Sequence, residues 1–181
     1  MDKMDINGTN YDVVRLLGKG KGGYSYLVTD GNRNYVLKQI HHEPCDYYTF
    51  GDKLQSELRD YARLRALGVR MPELLDVDEE NERLLKAFVP GETVYDWVMN
   101  ERMEPQYVEQ MREMCRALYP AGINIDYFPT NFVIWEGLLW YIDYECNAYM
   151  EQWDFEHWGI AYWSKTDTFM DYVRAHAESG K

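Results

Sequence analysis

Three apolar-rich runs with β-type composition open the pattern: Tyr11 to Leu17, Tyr24 to Thr29 and Asn34 to Ile40. A glycine cluster separates the first two and the turn residues Asp30-Gly31-Asn32 the last two, which predicts an antiparallel meander. The period then changes. From Phe50 to Leu67 the residues Leu54, Leu58, Tyr61, Leu64 and Leu67 recur at helical spacing, and Gly68 follows as a stop signal. Glu73 to Val77 and Arg83 to Val89 read as two further strands joined by the charged turn at 78–82. Pro90-Gly91 breaks the pattern. Beyond it, Thr93 to Met103 and Pro105 to Leu118 read as helices, with Thr93 an N-cap and Pro105 a first-turn residue. Short strands are predicted at Phe132 to Ile134 and Leu139 to Ile142, and a helix from Thr168 to Ala177. The change of character sets a boundary near Val89.

Composition narrows the function classes. With 181 residues and a 46% hydrophobic fraction the chain supports one cooperative unit, or two small lobes. Asp and Glu outnumber Lys and Arg 31 to 19, so the mean field repels nucleic acid and anionic membranes, and neither is expected as a partner. An anionic ligand needs a local exception. Cys45, Cys115 and Cys146 lie too far apart for zinc-ligand spacing or a disulfide framework. No segment approaches a run of about 18 apolar residues, so a soluble, cytoplasmic protein is expected.

The local exception lies between the first two strands. Gly18, Gly20 and Gly23 follow G-x-G-x-x-G, but a strand rather than a helix comes next, which disfavours a dinucleotide fold and favours a hairpin covering phosphates. Lys19 and Lys21 bring positive charge to backbone N–H groups that lack side-chain shielding. Lys38 closes the third strand, and Glu57 on the following helix is the carboxylate placed to orient it.

In this order and at this spacing the glycine loop, Lys38 and Glu57 resemble the protein kinase-like superfamily. The segment from Gly122 to Ile134, with D-x-x-x-x-N kept between Asp126 and Asn131, is similar to its catalytic loop, and Leu139 to Glu145, with Asp143, to its metal-binding strand end. The P-x-N ending of the loop, the I-D-Y-E strand and LLKAFVPGET are similar to small atypical members of RIO-like or Bud32-like type and to aminoglycoside-type phosphotransferases.

The resemblance implies an α+β, two-lobed kinase-like fold: residues 1–88 form a five-stranded antiparallel N-lobe with one helix, and 89–181 a reduced, mainly helical C-lobe. It implies ATP and Mg²⁺ as cofactors and a hydroxyl acceptor. Asp126 is the base or orienter, Asn131 and Asp143 the metal ligands, and Lys38, fixed by Glu57, the contact to the phosphates. Gly18, Lys19, Gly20, Lys21 and Gly23 cover the nucleotide.

Departures bear on activity. Asn124 stands where most relatives carry histidine, Phe128 where many carry a lysine or polar group, Tyr144-Glu145 replaces Phe-Gly, and the stretch after Glu145 leaves little room for acceptor-binding helices. The expected activity is transfer of the γ-phosphoryl group of ATP to a hydroxyl, as in a Ser/Thr protein kinase, with a nucleotide-binding pseudokinase and a small-molecule phosphotransferase as the alternatives. The aromatics Trp153, Phe155, Trp158, Tyr162 and Trp163 are expected to pack the small lower lobe.

Overall fold

The structure is a computed structural model and describes residues 2–43 and 52–178. Cys45 and the expected start of the first helix at Phe50 lie outside the described residues. The chain divides into two compact units, residues 1–59 with 72–89, and residues 60–71 with 90–181.

The first unit is built on an antiparallel sheet of β1 (Lys3–Ile6), β2 (Thr9–Lys19), β3 (Gly23–Thr29), β4 (Asn34–Ile40), β5 (Leu74–Asp78) and β6 (Arg83–Ala87), in the order β1-β2-β3-β4-β6-β5. Six strands therefore replace the five expected from the sequence. The additional one, β1, reads as polar, and only Ile6 of its four residues is fully buried. It turns into β2 through Asn7 (φ 49°) and Gly8 (φ 86°). Asn7 is anchored through its N–H to Asp78 Oδ2 at 3.0 Å and through its amide to Asp76 Oδ1 at 2.8 Å.

Strand alternation gives this sheet two different faces. Leu37 and Leu85 point to a cluster with Ile6 and Val28. Ile40 and Leu84, one position out of phase, pack against Leu54 of α1 (Lys53–Ala66), with Leu58, Leu74 and Val77 beside them. The division between units falls within α1.

The second unit contains β7 (Glu92–Thr93), α2 (Val94–Met99), α3 (Pro105–Leu118), β8 (Ile123–Ile125), β9 (Phe132–Trp135), β10 (Leu138–Tyr141), β11 (Cys146–Ala148) and α4 (Asp167–Glu178). It is less helical than the sequence suggests. The helix expected to run from Thr93 to Met103 stops at Met99, because Asn100 turns its N–H and side-chain amide back onto the Asp96 carbonyl. Thr93 caps its start, accepting from Asp96 N–H at 3.2 Å. Five short strands form two small ladders, β10-β9-β7 and β11-β8.

The aromatic segment divides by burial. Trp163 and Phe155 are core residues, whereas Trp153 is half exposed. Gly91 and Gly159 mark close approaches: a Cβ at Gly91 would lie 2.2 Å from the Ile134 carbonyl oxygen, and one at Gly159 would lie 2.5 Å from Tyr127 Cβ. No helix among the described residues is long and apolar enough to cross a membrane.

Candidate active site

In the first unit, Lys38 of β4 sits opposite Leu84 of β6, and Val36 opposite Lys86. Alternation therefore puts Lys38 and Lys86 on the same face as Ile40 and Leu84, the face that packs on α1. Glu57 lies one helical turn beyond Leu54 on that side of α1. Lys38 Nζ reaches both carboxylate oxygens of Glu57, at 3.0 and 2.9 Å. The sequence did not single out Lys86, whose Nζ is 3.4 Å from Glu57 Oε1. Its signal was there: Lys86 is the charged member of Leu84-Leu85-Lys86-Ala87-Phe88-Val89, two residues from an inward leucine.

The three side chains are 16%, 9% and 5% exposed for Lys38, Glu57 and Lys86. Burial raises the Glu57 carboxyl, but the two ammonium charges outweigh it and leave its pKa below the ordinary glutamate value. One carboxylate thus serves two cations.

The glycine residues differ in what they permit. At Gly23 a Cβ would lie 2.6 Å from the Gln39 carbonyl oxygen and 3.1 Å from Lys38 Cε, so glycine there lets β3 pass close to β4 above the lysine. At Gly18 a Cβ would meet nothing, and at Gly20 only the Gly23 carbonyl oxygen at 3.9 Å. Lys19 pairs with Glu43 at 2.9 Å and lies over the Tyr24 ring, so part of its charge is answered inside the protein. Lys21 is exposed.

In the second unit, two ladders assemble the acidic residues. Pairing of Ile125 with Cys146 joins β8 to β11, and pairing of Phe132 with Tyr141 joins β9 to β10. The loop carrying Asp126 and Asn131 leaves β8 and enters β9, while the turn carrying Asp143 leaves β10 and enters β11. Loop and turn are consequently held side by side. Ile142 N–H donates to the Asn131 carbonyl at 2.9 Å. The buried Tyr141 hydroxyl accepts from Asp126 N–H at 3.4 Å and donates to the Glu145 carbonyl at 2.8 Å, tying both segments to one atom.

Within the loop, Asp126 Oδ1 accepts from Phe128 N–H at 3.1 Å, and the Asn131 amide reaches the Asp126 carbonyl at 3.5 Å. Asp143 Oδ1 accepts from Tyr144 N–H at 2.8 Å. Burial pushes the Asp126 carboxyl above the usual aspartate range, the Phe128 hydrogen bond opposes that rise, and the charges of Glu145 and Asp143 add to it. The carboxylates are close enough to repel one another.

Asn124, where the resemblance leads to histidine in most relatives, is buried and structural. Its carboxamide accepts from the Tyr127 hydroxyl at 3.2 Å and donates to the Met150 carbonyl at 3.0 Å. Phe128 packs against Tyr162 and Tyr172, with centroid separations of 5.2 and 4.6 Å. A cavity of about 470 Å³ lined by Arg112, Cys115, Arg116, Tyr119, Pro120 and Glu156 contains none of the predicted site residues.

Among the described residues no group of three or more His, Cys, Asp and Glu is arranged to hold a metal. Asp143 and Asn131 offer one carboxylate and one amide oxygen, and Mg²⁺ is commonly held by one or two protein carboxylates, with water and phosphate oxygens completing the octahedron. The repulsion at Asp126 is what a cation would relieve.

No curated protein matches the chain. The family model of the APH phosphotransferases matches residues 13–134, a span that takes in the glycine loop, Lys38, Glu57, Asp126 and Asn131 and stops before Asp143. Of the relatives suggested by the motifs, the aminoglycoside phosphotransferase-like type is the one that agrees, and the chain belongs to this phosphotransferase enzyme family, within the protein kinase-like superfamily.

Proposed function

We propose that the protein is an ATP- and magnesium-dependent phosphotransferase that moves the γ-phosphoryl group of ATP to a hydroxyl of a small molecule. The observation that carries this reading is the pair of ladders that sets Asp126 and Asn131 beside the Asp143 turn, inside a chain of the phosphotransferase family. Asp126 aligns the acceptor hydroxyl and takes its proton as the oxygen–phosphorus bond forms. The bond from the γ-phosphorus to ADP breaks with its electron pair leaving on ADP. Bound magnesium would supply charge against the phosphate oxygens, with Asn131 and Asp143 as its protein ligands. Lys38 binds nonbridging phosphate oxygens, and the Glu57 carboxylate keeps its long side chain in one rotamer.

Family membership favours a small-molecule acceptor over the Ser/Thr protein substrate expected from general kinase likeness. A pseudokinase is the second reading. What favours it is Phe128, whose ring is engaged with Tyr162 and Tyr172 and offers no charge to a transferring phosphoryl group.

The test is incubation with γ-labelled ATP and Mg²⁺, in parallel with a panel of small alcohols and amino sugars and with a protein mixture. Label on a small molecule supports the proposal. Label on protein moves the acceptor class, and tight nucleotide binding without label transfer in either arm overturns catalysis in favour of the second reading.

A further inference from the structure

Lys53, the first residue of α1, is a charged residue with 4% exposure, and nothing in the sequence pattern marks it. Its ammonium donates to the His41 carbonyl at 2.6 Å and to the Lys21 carbonyl at 3.4 Å. His41, just after β4, meets the same loop twice. Its Nε2 is 2.8 Å from the Gly20 carbonyl oxygen, and its backbone N–H donates to the Gly22 carbonyl at 3.1 Å. The tautomer follows from the other ring nitrogen: Nδ1 accepts from Glu43 N–H at 3.3 Å, so Nε2 carries the proton given to Gly20. The Gly23 carbonyl is also engaged, accepting from Gly20 N–H at 2.9 Å.

The carbonyls of Gly20, Lys21 and Gly22 are thus drawn onto donors of this same unit. A trans peptide plane carries its N–H opposite its C=O. The amides of Lys21 and Gly22, which share planes with the Gly20 and Lys21 carbonyls, therefore point away from His41 and Lys53. Successive outward amides form a cradle for an anion, while outward carbonyl dipoles would repel one.

We propose that Lys53 and His41 are positioning residues of the glycine loop, which hold its carbonyls inward so that its amides receive the phosphate groups of a nucleotide. The inference rests on the phosphate-binding reading above and adds the residues that set the loop's polarity. Neither side chain contacts the nucleotide; each acts through the loop backbone.

The experiment compares Mg-ATP with adenosine, which lacks the loop's ligand, by calorimetric titration of wild type, Lys53→Met, His41→Phe and His41→Gln. Loss of loop-anchoring hydrogen bonds in Lys53→Met and His41→Phe is expected to weaken Mg-ATP about tenfold and leave adenosine within about twofold. His41→Gln, which keeps a side-chain donor, should stay near wild type. Unchanged Mg-ATP affinity in folded variants, or equal weakening of both ligands, overturns the positioning role. Should Lys53→Met fail to fold, the two His41 variants carry the comparison alone. Nitrogen NMR of His41 in the ligand-free protein separates this inference from the functional reading: an Nε2-protonated neutral ring supports the brace even if wild type binds no ATP, and an Nδ1-protonated ring removes it.

Discussion

Glu57 and Asp78 in the first unit and Asp126 in the second are held in opposite ways. In the first, Glu57 shares two ammonium groups, and Asp78 accepts from Asn7 N–H, Asn81 N–H and the Asn81 amide, so both are held below their ordinary pKa values. In the second, Asp126 is raised by burial and, after the opposing Phe128 hydrogen bond, by the charges of Glu145 and Asp143. The first arrangement answers its charges internally. The second sets Asp126 among the charges of Glu145 and Asp143, which disfavours its ionised form and is the condition under which a cation or a proton binds well.

The largest effect that would sharpen this contrast comes from Asp126. Asp126→Asn is expected to lower turnover by roughly 10²- to 10⁴-fold, the usual loss of a general base, while leaving Mg-ATP affinity nearly unchanged. Asp143→Asn should instead weaken the magnesium-dependent part of nucleotide binding. Equal turnover in wild type and Asp126→Asn, measured with saturating ATP, would break the assignment of chemistry to the second unit.

Charge sharing in the first unit predicts a strongly non-additive pair. Lys38→Met leaves Glu57 with Lys86, and Lys86→Met leaves it with Lys38, so each single variant should lose little stability. Removing both leaves a buried carboxylate without either ammonium, a change of about 3–5 kcal/mol in urea unfolding. Additive losses would show that the two lysines do not share Glu57.

The smallest effect concerns Asp78. Its pKa lies near 2 in the folded protein, below the unfolded-state value of about 3.9. The stability it contributes is present above the unfolded value and disappears as pH falls through the folded one. Wild type should therefore lose stability on acidification from about pH 4 to about pH 2, and Asp78→Asn should show a shallower loss in the same denaturation series.

What the sequence made legible follows from range. The meander, the charged hairpin and α1 rest on local periodicity and turn residues, and Lys38 with Glu57 rests on spacing along adjacent elements. The two side chains pair at 2.9 Å. What it concealed depends on partners remote in the chain. β1 earns its place through Ile6 in the core and an Asn7–Asp78 bond spanning 71 residues. β8 and β11 are three residues each, too short for a period. Lys86 and Lys53 look like ordinary surface charges until β4 and the glycine loop fold over them.

Trp163 donates its indole N–H to the Tyr127 carbonyl at 2.8 Å, and Gly159 leaves just enough room for the Tyr127 side chain, so the loop after Asp126 is propped by chain made more than thirty residues later. During synthesis that loop leaves the ribosome before the segment that supports it. Until that segment emerges, the nascent chain carries the acidic residues without the contacts that hold their loop.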